Sequence, residues 1–336
     1  VLPHGVGFAE RLCQFNLSLQ RPSPVLEPGK SETKTTMPEP IKMIIDTDPG
    51  VDDAVAIFMA LAASDVEILG LTSVGGNVPL ARTTRNALAL LHAAGRSDIP
   101  VARGASRPLQ GKFTYAPQFH GPGGLSSRLP DSPTGPVEQS AVEFLYDQLT
   151  HNEPGEVVLV ALGPVTNLAK LLWERPYALE QAKNIVVMGG SVNASGNVTP
   201  RAEFNIYSDP VAAEVLFSSG LPITLIDLAA SRQVSIDREQ AIGLRSNHPI
   251  GSLTLKMLQD WFMKHQDRER FEFYDPLAMA MALEPAIATV TKVDLDVGLE
   301  ENDSWGETSE SGGPGEITLP LDVDRARFFG LLEGLL

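Results

Sequence analysis

From Ile41 onward, short apolar runs alternate with longer segments in which apolar residues recur every three or four positions. The run IKMII at 41–45 is followed by VDDAVAIFMALAA at 51–63. One face of the second segment is formed by Ala54, Ile57, Phe58, Leu61 and Ala62. A short continuous apolar run predicts a buried strand, and a period of three to four predicts an amphipathic helix. The pattern therefore predicts a strand followed directly by a helix.

The same alternation continues along the chain. Predicted strands lie at 66–74, 156–162, 184–190 and 222–228, and predicted helices at 81–95, 165–174, 248–265 and 275–285. The C-terminal segment 315–336 predicts one more strand and a closing helix. Strands that alternate with helices are typical of parallel sheets with crossover helices. We therefore expect an α/β fold, an open, mostly parallel sheet flanked by helices, in a single domain that spans 41–336.

The first 40 residues have a different pattern. Residues 21–40, RPSPVLEPGKSETKTTMPEP, are polar and proline-rich without a hydrophobic period. In the preceding 20 residues, Glu10 and Arg11 interrupt the continuous apolar core that a signal peptide requires. Such composition is typical of segments without fixed structure. We therefore expect residues 1–40 to form a disordered N-terminal extension.

Composition narrows the possible partners. The 336-residue chain has a net charge of −16 and a pI near 4.8, which argues against binding to a nucleic-acid backbone. It contains no apolar run of the ~18–20 residues that a membrane helix needs, so no membrane partner is expected. Cys13 is the only cysteine, which excludes an intrachain disulfide and favours a reducing, cytoplasmic location.

Proline marks four predicted junctions between strand and helix. Asp48-Pro49, Gly163-Pro164, Asp209-Pro210 and Asp275-Pro276 each precede a helical pattern. Aspartate or glycine at the N-cap followed by proline at the first helical position is a favourable helix start. In open parallel sheets these junctions lie at the carboxyl ends of the strands, where ligands bind.

The segment IIDTDPGVDDA at 44–54 contains four aspartates. Asp48 as an N-cap and Asp52 and Asp53 in the first turn would each favour a helix by about 0.3–1 kcal/mol. That role leaves the crowding of four carboxylates unexplained, because such groups either share protons or bind a cation. Oxygen ligands without histidine or cysteine suit Ca²⁺ or Mg²⁺. The segment therefore predicts a site for a hard divalent cation.

The motif DTDPGVDDA resembles the N-terminal signature of the inosine–uridine-preferring nucleoside hydrolase family. Further motifs follow in the family's order: SVGGN, FHGPGG, ALGPVTNLA, VVMGGS, GNVTPRAEFNIYSDPVAA and YDPLAMA. The resemblance covers nearly all of 41–336. It implies an open α/β fold with a calcium ion at the bottom of a deep ribose pocket, a nucleoside substrate, and a homodimer or homotetramer.

The resemblance also implies which residues bind the ion. Asp48, Asp53 and Asp275 correspond to side-chain ligands of Ca²⁺, and Leu162 corresponds to a ligand through its backbone carbonyl. Cleavage of an N-ribosidic bond develops positive charge on the ribosyl ring, as in other glycoside hydrolyses. A calcium-bound water beneath C1′ would attack, and we expect Asp48 to take its proton as the general base.

Ribose recognition is assigned by the same resemblance. Asp52 is expected to bind ribose hydroxyls, and Asn77 to contact the ribose or the pocket floor. Asn205 is expected to hold the 2′/3′ side of the sugar. Glu203 and Asn197 are expected to hold the 5′-hydroxyl.

The remaining positions concern the pocket walls and the nucleobase. Met188 and Phe204 are expected to line the pocket, and Asp46 to organise the aspartate loop. His120 matches a family position near the nucleobase. Tyr274 stands where many members have a histidine that is proposed to protonate the leaving purine. Because tyrosine has an ordinary pKa of about 10, it is a poorer acid, although it can still hydrogen-bond or stack. The nucleobase preference therefore stays open.

Two other functions fit part of the pattern. A magnesium-dependent phosphatase with an aspartyl nucleophile also begins with a strand and Asp-x-Asp, but no later pairing of a lysine with an acid supports it. A non-catalytic, calcium-dependent nucleoside- or sugar-binding protein would keep the ligands and lose the base. The set Asp48, Asp52 and Asp53, together with the EFN segment at 203–205, favours turnover.

Overall fold

The computed structural model describes residues 39–313 and 315–335. The predicted N-terminal extension, residues 1–40, lies outside this range except for its last two residues. Among the described helices, none has both the length and the apolar character needed to cross a membrane.

An eight-stranded sheet runs through the molecule in the order β3-β2-β1-β4-β5-β6-β12-β9. Its strands are β1 Ile41–Thr47, β2 Val66–Ser73, β3 Val101–Arg103, β4 Val157–Ala161, β5 Asn184–Met188, β6 Ile223–Ile226, β9 Ala288–Val293 and β12 Ile317–Val323. Neighbouring strands are parallel except for β12 and β9, which are antiparallel. The prediction of an open, mostly parallel sheet is confirmed.

Two antiparallel pairs lie outside the large sheet: β7 Ser235–Asp237 with β8 Arg270–Glu272, and β10 Leu295–Val297 with β11 Thr308–Glu310. Each of these strands has only three residues. Segments this short carry no readable alternation, so the sequence pattern did not predict them.

The helices cover both faces of the sheet. They are α1 Val51–Ala62, α2 Leu80–Ala93, α3 Pro117–His120, α4 Ala141–His151, α5 Thr166–Glu174, α6 Phe204–Ser208, α7 Pro210–Phe217, α8 Leu228–Ser231, α9 Arg238–Gly243, α10 Pro249–Lys264, α11 Tyr274–Leu283 and α12 Arg325–Leu335. Short 3₁₀ turns lie at Leu179–Gln181 and Pro285–Ile287. The sheet and helices form a single α/β domain.

The core has two layers, one on each face of the sheet. In β1, Met43 and Ile45 belong to one cluster of buried apolar residues and Ile44 belongs to the other. This assignment follows from the period of two along a strand, which points alternate side chains to opposite faces. Helices α1, α10 and α11 contribute to the first layer, and α4, α5 and α7 to the second.

The predicted N-cap and first helical position are confirmed at one of the four junctions. Asp209 caps α7, with its carboxylate accepting from the Ala212 amide and Pro210 at the first position. At the other three, α1 starts after Gly50, α5 after Val165 and α11 after Phe273. Asp48 and Gly163 therefore lie in loops before the helices, whereas Asp275 lies inside the first turn of α11. The dipeptides mark the junction but do not fix the first helical residue.

Candidate active site

The carboxyl ends of four neighbouring strands meet at one edge of the sheet. Asp48 follows β1, Asn77 follows β2, Leu162 follows β4, and Met188 is the last residue of β5. All four are buried. Parallel strands deliver their last residues to the same edge, which is where open α/β sheets bind ligands.

The loop between β1 and α1 is held by its own aspartates. The Asp53 carboxylate accepts from the Thr47 hydroxyl at 2.5 Å and from the Gly50 amide at 2.8 Å. The second contact satisfies the free amide that precedes the helix. Asp53 is thereby fixed in one orientation at the start of α1.

Asp48 is enclosed on both sides by glycines. A Cβ at Gly76 or at Gly163 would overlap with its carboxylate. Asp48 Oδ2 accepts from the Asn77 amide at 2.5 Å, and Asn77 Nδ2 donates to the Asp48 carbonyl at 3.2 Å and to Asp53 Oδ2 at 3.3 Å. Because a side chain at Gly76 or Gly163 would overlap with the Asp48 carboxylate, these two positions restrict its rotation.

Asp46 lies behind this loop in a buried hydrogen-bond network. Its Oδ1 accepts from Thr72 Oγ1 at 2.5 Å and from Asn167 Nδ2 at 2.7 Å. Asn167 also accepts from the Ala105 amide at 2.8 Å and donates to the Ser73 carbonyl at 3.2 Å. Asn167 thus ties together the ends of β1, β2 and β3. Sequence reasoning missed Asn167, because a buried amide within a helix has no local signal.

Three carboxylates converge on one point. Asp52, Asp53 and Asp275 each offer an oxygen, and these oxygens lie within 4.8 Å of one another. Burial, followed by the charges of Asp52 and Asp53, raises the pKa of Asp275 well above its ordinary value. Burial also raises the pKa of Asp52 to about 6. Such mutual repulsion is relieved either by protons or by a cation.

The residues present fit a hard divalent cation. Asp48 Oδ1 and Asp52 Oδ1 are buried and have no hydrogen-bond partner among the described residues, which is rare for native carboxylates. The Leu162 carbonyl accepts from Asn205 Nδ2 at 2.7 Å, which leaves one lone pair for another partner. Asp48, a predicted ligand, is not one of the three converging carboxylates, but it interacts electrostatically with Asp53 and Asp52. The individual ligand roles stay predictions.

A second buried acid stands opposite this cluster. Glu203 caps α6, and its carboxylate accepts from the amides of Gly190, Asn205 and Ile206 at 2.9–3.1 Å. Burial raises its pKa to about 7 although these backbone amides act in the opposite direction. The side chain of Asn205 reaches across to the carbonyls of Leu162 and Met188. The EFN segment is therefore connected to the ends of β4 and β5.

One cavity connects these groups. Its lining includes all of the residues predicted to bind substrate: Asp52, Asn77, His120, Met188, Asn197, Glu203, Phe204, Asn205, Tyr274 and Asp275. Leu162 also lines it, whereas Asp48 and Asp53 have no exposed surface and lie behind its wall. The structure thus brings together residues that are more than two hundred positions apart in sequence. Their chemical roles stay predictions.

The cavity also has lining residues that the sequence did not single out: Ala116, Gln118, Phe119, Val198, Arg268 and Glu272. Gln118 and Phe119 adjoin His120 on α3, and Glu272 stands two residues before Tyr274. Their closeness in sequence to predicted site residues was the available signal. Arg268, in the turn between α10 and β8, had none.

His120 is held as a neutral imidazole. Its Nδ1 accepts from the Val51 amide at 3.2 Å, in the first turn of α1, and lies 3.7 Å from Asp52 Oδ1. Burial lowers the pKa of His120 to about 4. Because Nδ1 accepts, the proton of the neutral ring resides on Nε2. His120 is therefore a hydrogen-bond donor through Nε2 at neutral pH.

Tyr274 has a partner for its own proton. Its hydroxyl donates to Glu272 Oε2 at 2.8 Å. Burial, followed by the charge of Glu272, raises the pKa of Tyr274 above its ordinary value. Both effects retain the proton on the phenol. Tyr274 is thus a weaker acid than an exposed tyrosine.

Comparison with known proteins assigns the chain to a family. The family described as inosine-uridine preferring nucleoside hydrolase matches residues 43–330. A probable uridine nucleosidase 2 from Oryza sativa is 36% identical over 88% of this chain and 93% of its own length. Among solved structures, a plant nucleoside hydrolase aligns with a TM-score of 0.82 at 33% identity, covering 88% of this chain and 99% of its own. A purine-preferring ribonucleoside hydrolase from Gardnerella vaginalis aligns with a TM-score of 0.80 at 30% identity, covering 88% and 97%. The chain belongs to the inosine-uridine preferring nucleoside hydrolase family.

Proposed function

We propose that this protein hydrolyses ribonucleosides to the free nucleobase and ribose. The observation that carries the proposal is the single cavity lined by carboxylates of the buried cluster and by the EFN segment. Carboxylates and amides suit the hydroxyls of a sugar, and a cluster of this charge suits a reaction that develops positive charge on the ribosyl ring. Family membership and the similarity to nucleosidases support the same activity.

We propose that the carboxylate cluster holds Ca²⁺. Asp48, Asp53, Asp275 and the Leu162 carbonyl would bind it. The unpartnered Asp48 Oδ1 and the convergence of Asp53 with Asp275 support this set, and Asp52 is the third carboxylate of that convergence. The bound ion would supply positive charge that acidifies a water and fixes the ribose hydroxyls. An all-oxygen donor set suits Ca²⁺ or Mg²⁺, and ligand distances of about 2.3–2.6 Å against 2.0–2.1 Å distinguish the two ions.

The proposed general base is Asp48. Its Oδ2 is occupied by the Asn77 amide, so Oδ1, which has no partner among the described residues, takes the proton of the attacking water. The enclosing glycines keep that oxygen in place. Asp52, Asn77 and Asn205 orient the ribose, and Asn197 and Glu203 hold its 5′-hydroxyl. Met188 and Phe204 close the cavity around the sugar.

The nucleobase occupies the end of the cavity that contains His120 and Tyr274. His120 donates a hydrogen bond to the base from Nε2 without becoming charged, because its pKa is about 4. Tyr274 keeps its proton for Glu272, so its contribution is contact with the base rather than proton transfer. The base therefore leaves with the electron pair of the C1′–N bond, stabilised by the hydrogen bond from His120, and takes its proton from solvent. The carboxylates stabilise the ribosyl cation.

The decisive test is a panel of inosine, uridine, adenosine, cytidine and guanosine, with released reducing sugar as the readout. We expect hydrolysis of at least one nucleoside, and the pattern of rates defines the nucleobase preference. Release of sugar from none of them, with nucleoside binding retained, would identify a binding protein instead. Phosphate release from phosphomonoesters would identify the phosphatase.

Two further properties belong to the proposal. We expect a homodimer or homotetramer, which sedimentation velocity of the purified protein would show. We also expect a cytoplasmic location, which fractionation of the source cells would test. A monomer, or an extracellular enzyme, would contradict these expectations without affecting the activity.

A further inference from the structure

A single arginine outside the cavity lining holds the segment that carries Asn197. Arg232 follows α8 and has an exposed side chain. Its Nη1 donates to the Ser195 carbonyl at 2.8 Å and to Ser195 Oγ at 3.2 Å, and its Nη2 donates to the Gly196 carbonyl at 3.3 Å. The guanidinium thus contacts both residues that directly precede Asn197.

The segment that begins at Gly196 is a tightly bonded turn. The amides of Gly196, Asn197 and Val198 donate to the carbonyls of Pro200 and Ala202 at 3.0–3.2 Å. A Cβ at Gly196 would overlap with the carbonyl oxygens of the turn, so only glycine fits there. The far end of the turn is anchored by the hydrogen bond from Ser191 Oγ to the Arg201 carbonyl and by the backbone pairing of Ala202 with Glu307. The contacts of Arg232 are at its entrance, directly before Asn197.

The other end of this connection is fixed to the large sheet. Gln233, the next residue, donates from Nε2 to the Leu321 carbonyl at 2.7 Å and accepts from the Val323 amide at 3.0 Å. Both partners belong to β12. Arg232 and Gln233 therefore connect strand β12 to the turn that carries Asn197.

Resting on the proposed function, we propose that Arg232 is a positioning residue, which aims Asn197 at the 5′-hydroxyl of the ribose. This role requires no contact between Arg232 and the substrate. Its loss should weaken recognition of one hydroxyl and leave the carboxylate cluster unaltered. Such a selective defect separates a positioning role from a general structural one.

The test compares the nucleoside that is hydrolysed fastest with its 5′-deoxy analogue. For the wild type we expect kcat/KM to be roughly tenfold higher for the nucleoside with the hydroxyl, since Asn197 and Glu203 are both proposed to hold that group. In Arg232→Met we expect that ratio to fall by roughly threefold, through a loss confined to the hydroxylated substrate, because Glu203 keeps its own contact. Arg232→Lys, which keeps a donor near the Ser195 carbonyl, should restore part of the ratio.

Arg201→Met is the matched control. Arg201 is an exposed arginine at the far end of the same turn, and its guanidinium pairs with Glu307 at 3.1 Å instead of with the residues that precede Asn197. This variant should keep the wild-type ratio. If Arg232→Met is poorly soluble, Ser195→Ala, which removes only the 3.2 Å contact, should lower the ratio by a smaller amount.

The outcomes separate the two proposals. Hydrolysis of any nucleoside by the wild type supports the proposed function, whatever Arg232 does. An unchanged ratio in Arg232→Met, or an equal loss for both substrates, would overturn the positioning role. An equal effect of Arg201→Met would also overturn it.

Discussion

The two ends of the cavity are built in different ways. At the carboxylate end, Asp48 and Asp53 are fully buried, and backbone amides or buried side chains fix them in place. At the proposed nucleobase end, Gln118 and Arg268 are exposed, and Glu272 and Tyr274 are only half-buried. The carboxylate end follows strands of the large sheet, whereas the nucleobase end is built from α3, the start of α11 and the small β7–β8 pair.

This difference indicates which part of the site can change. A substitution of Asp53 or Asn77 disturbs several buried hydrogen bonds. A substitution of Gln118 or Arg268 changes an exposed side chain, and such positions usually cost little stability. We therefore expect nucleobase preference to vary more readily than the proposed ribose site. The similarity to both a uridine nucleosidase and a purine-preferring hydrolase agrees with this expectation.

The largest effect is expected for Asp48→Asn. An amide cannot take the proton of the attacking water, so kcat should fall by about 10²–10⁴-fold. Steady-state hydrolysis of the preferred nucleoside is the measurement. Asp322→Asn, at an exposed position of β12, is the control and should retain the wild-type rate. Full activity of Asp48→Asn would remove Asp48 from the role of base.

Removal of the proposed ion should have the next largest effect. Asp275→Ala deletes one carboxylate of the converging three, and we expect roughly 10–100-fold weaker calcium binding. Calorimetric titration of chelator-treated protein with Ca²⁺ measures this directly. In the wild type, Ca²⁺ should restore activity after chelation. Identical calcium affinity in wild type and variant would place the ion elsewhere.

Stability of the chelator-treated protein should depend on pH. Burial raises the pKa of Asp52 to about 6, and it also raises those of Asp48, Asp53 and Asp275. A carboxyl group whose pKa is higher in the folded than in the unfolded protein binds its proton more tightly in the folded state. That proton stabilises the folded protein at low pH, and the stabilisation is lost as the pH rises through the folded-state pKa. We therefore expect the free energy of unfolding to fall by roughly 1–3 kcal/mol between about pH 4 and 7. Urea denaturation at several pH values would show it.

Saturating Ca²⁺ provides the control for this effect. Ion binding requires ionised carboxylates, so the added stability should increase with pH, opposite to the trend of the chelated protein. Parallel curves with and without Ca²⁺ would contradict a shared site for the protons and the ion.

At the nucleobase end the effects should be smaller. His120→Ala removes the proposed donor to the base and the acceptor of the Val51 amide, and we expect kcat/KM to fall by about tenfold. Because the pKa of His120 is about 4, this loss should be constant from pH 6 to 8. A loss that changes steeply across that range would indicate a histidine that titrates during turnover.

The smallest effect is expected for Tyr274→Phe. The hydroxyl already donates to Glu272, so its removal should change kcat by no more than about threefold. Tyr274→Ala, which also removes the ring, should raise KM further and serves as the comparison. A large loss of kcat in Tyr274→Phe would show that the phenol does transfer a proton to the leaving base.

The sequence predicted the large elements well and the short ones poorly. Strands such as β4 and helices such as α10 have a clear hydrophobic period, and both lie where the pattern placed them. The three-residue strands have no period. The start of α1 at Val51 instead of Pro49 goes with the hydrogen bond from the Gly50 amide to the Asp53 carboxylate, a local contact of the loop that the proline rule does not include.

Prediction of the site residues likewise worked for groups that are close together in sequence and not for distant ones. The aspartate cluster could be predicted because four acids lie close together in sequence. The prediction that Asp275 joins them came from the resemblance to the family alone. Asn167 and Arg232 act through hydrogen bonds to backbone groups of distant segments. Such bonds leave no pattern around either residue, so only the folded chain shows them.

The position of Asp275 has a consequence for assembly of the protein. It belongs to the first turn of α11, whereas Asp52 and Asp53 belong to α1, so the three carboxylates meet only after the last third of the chain has docked. Until then, the early part of the chain has only part of the site. Calcium affinity during refolding would therefore appear late, and its time course would report when α11 reaches the sheet.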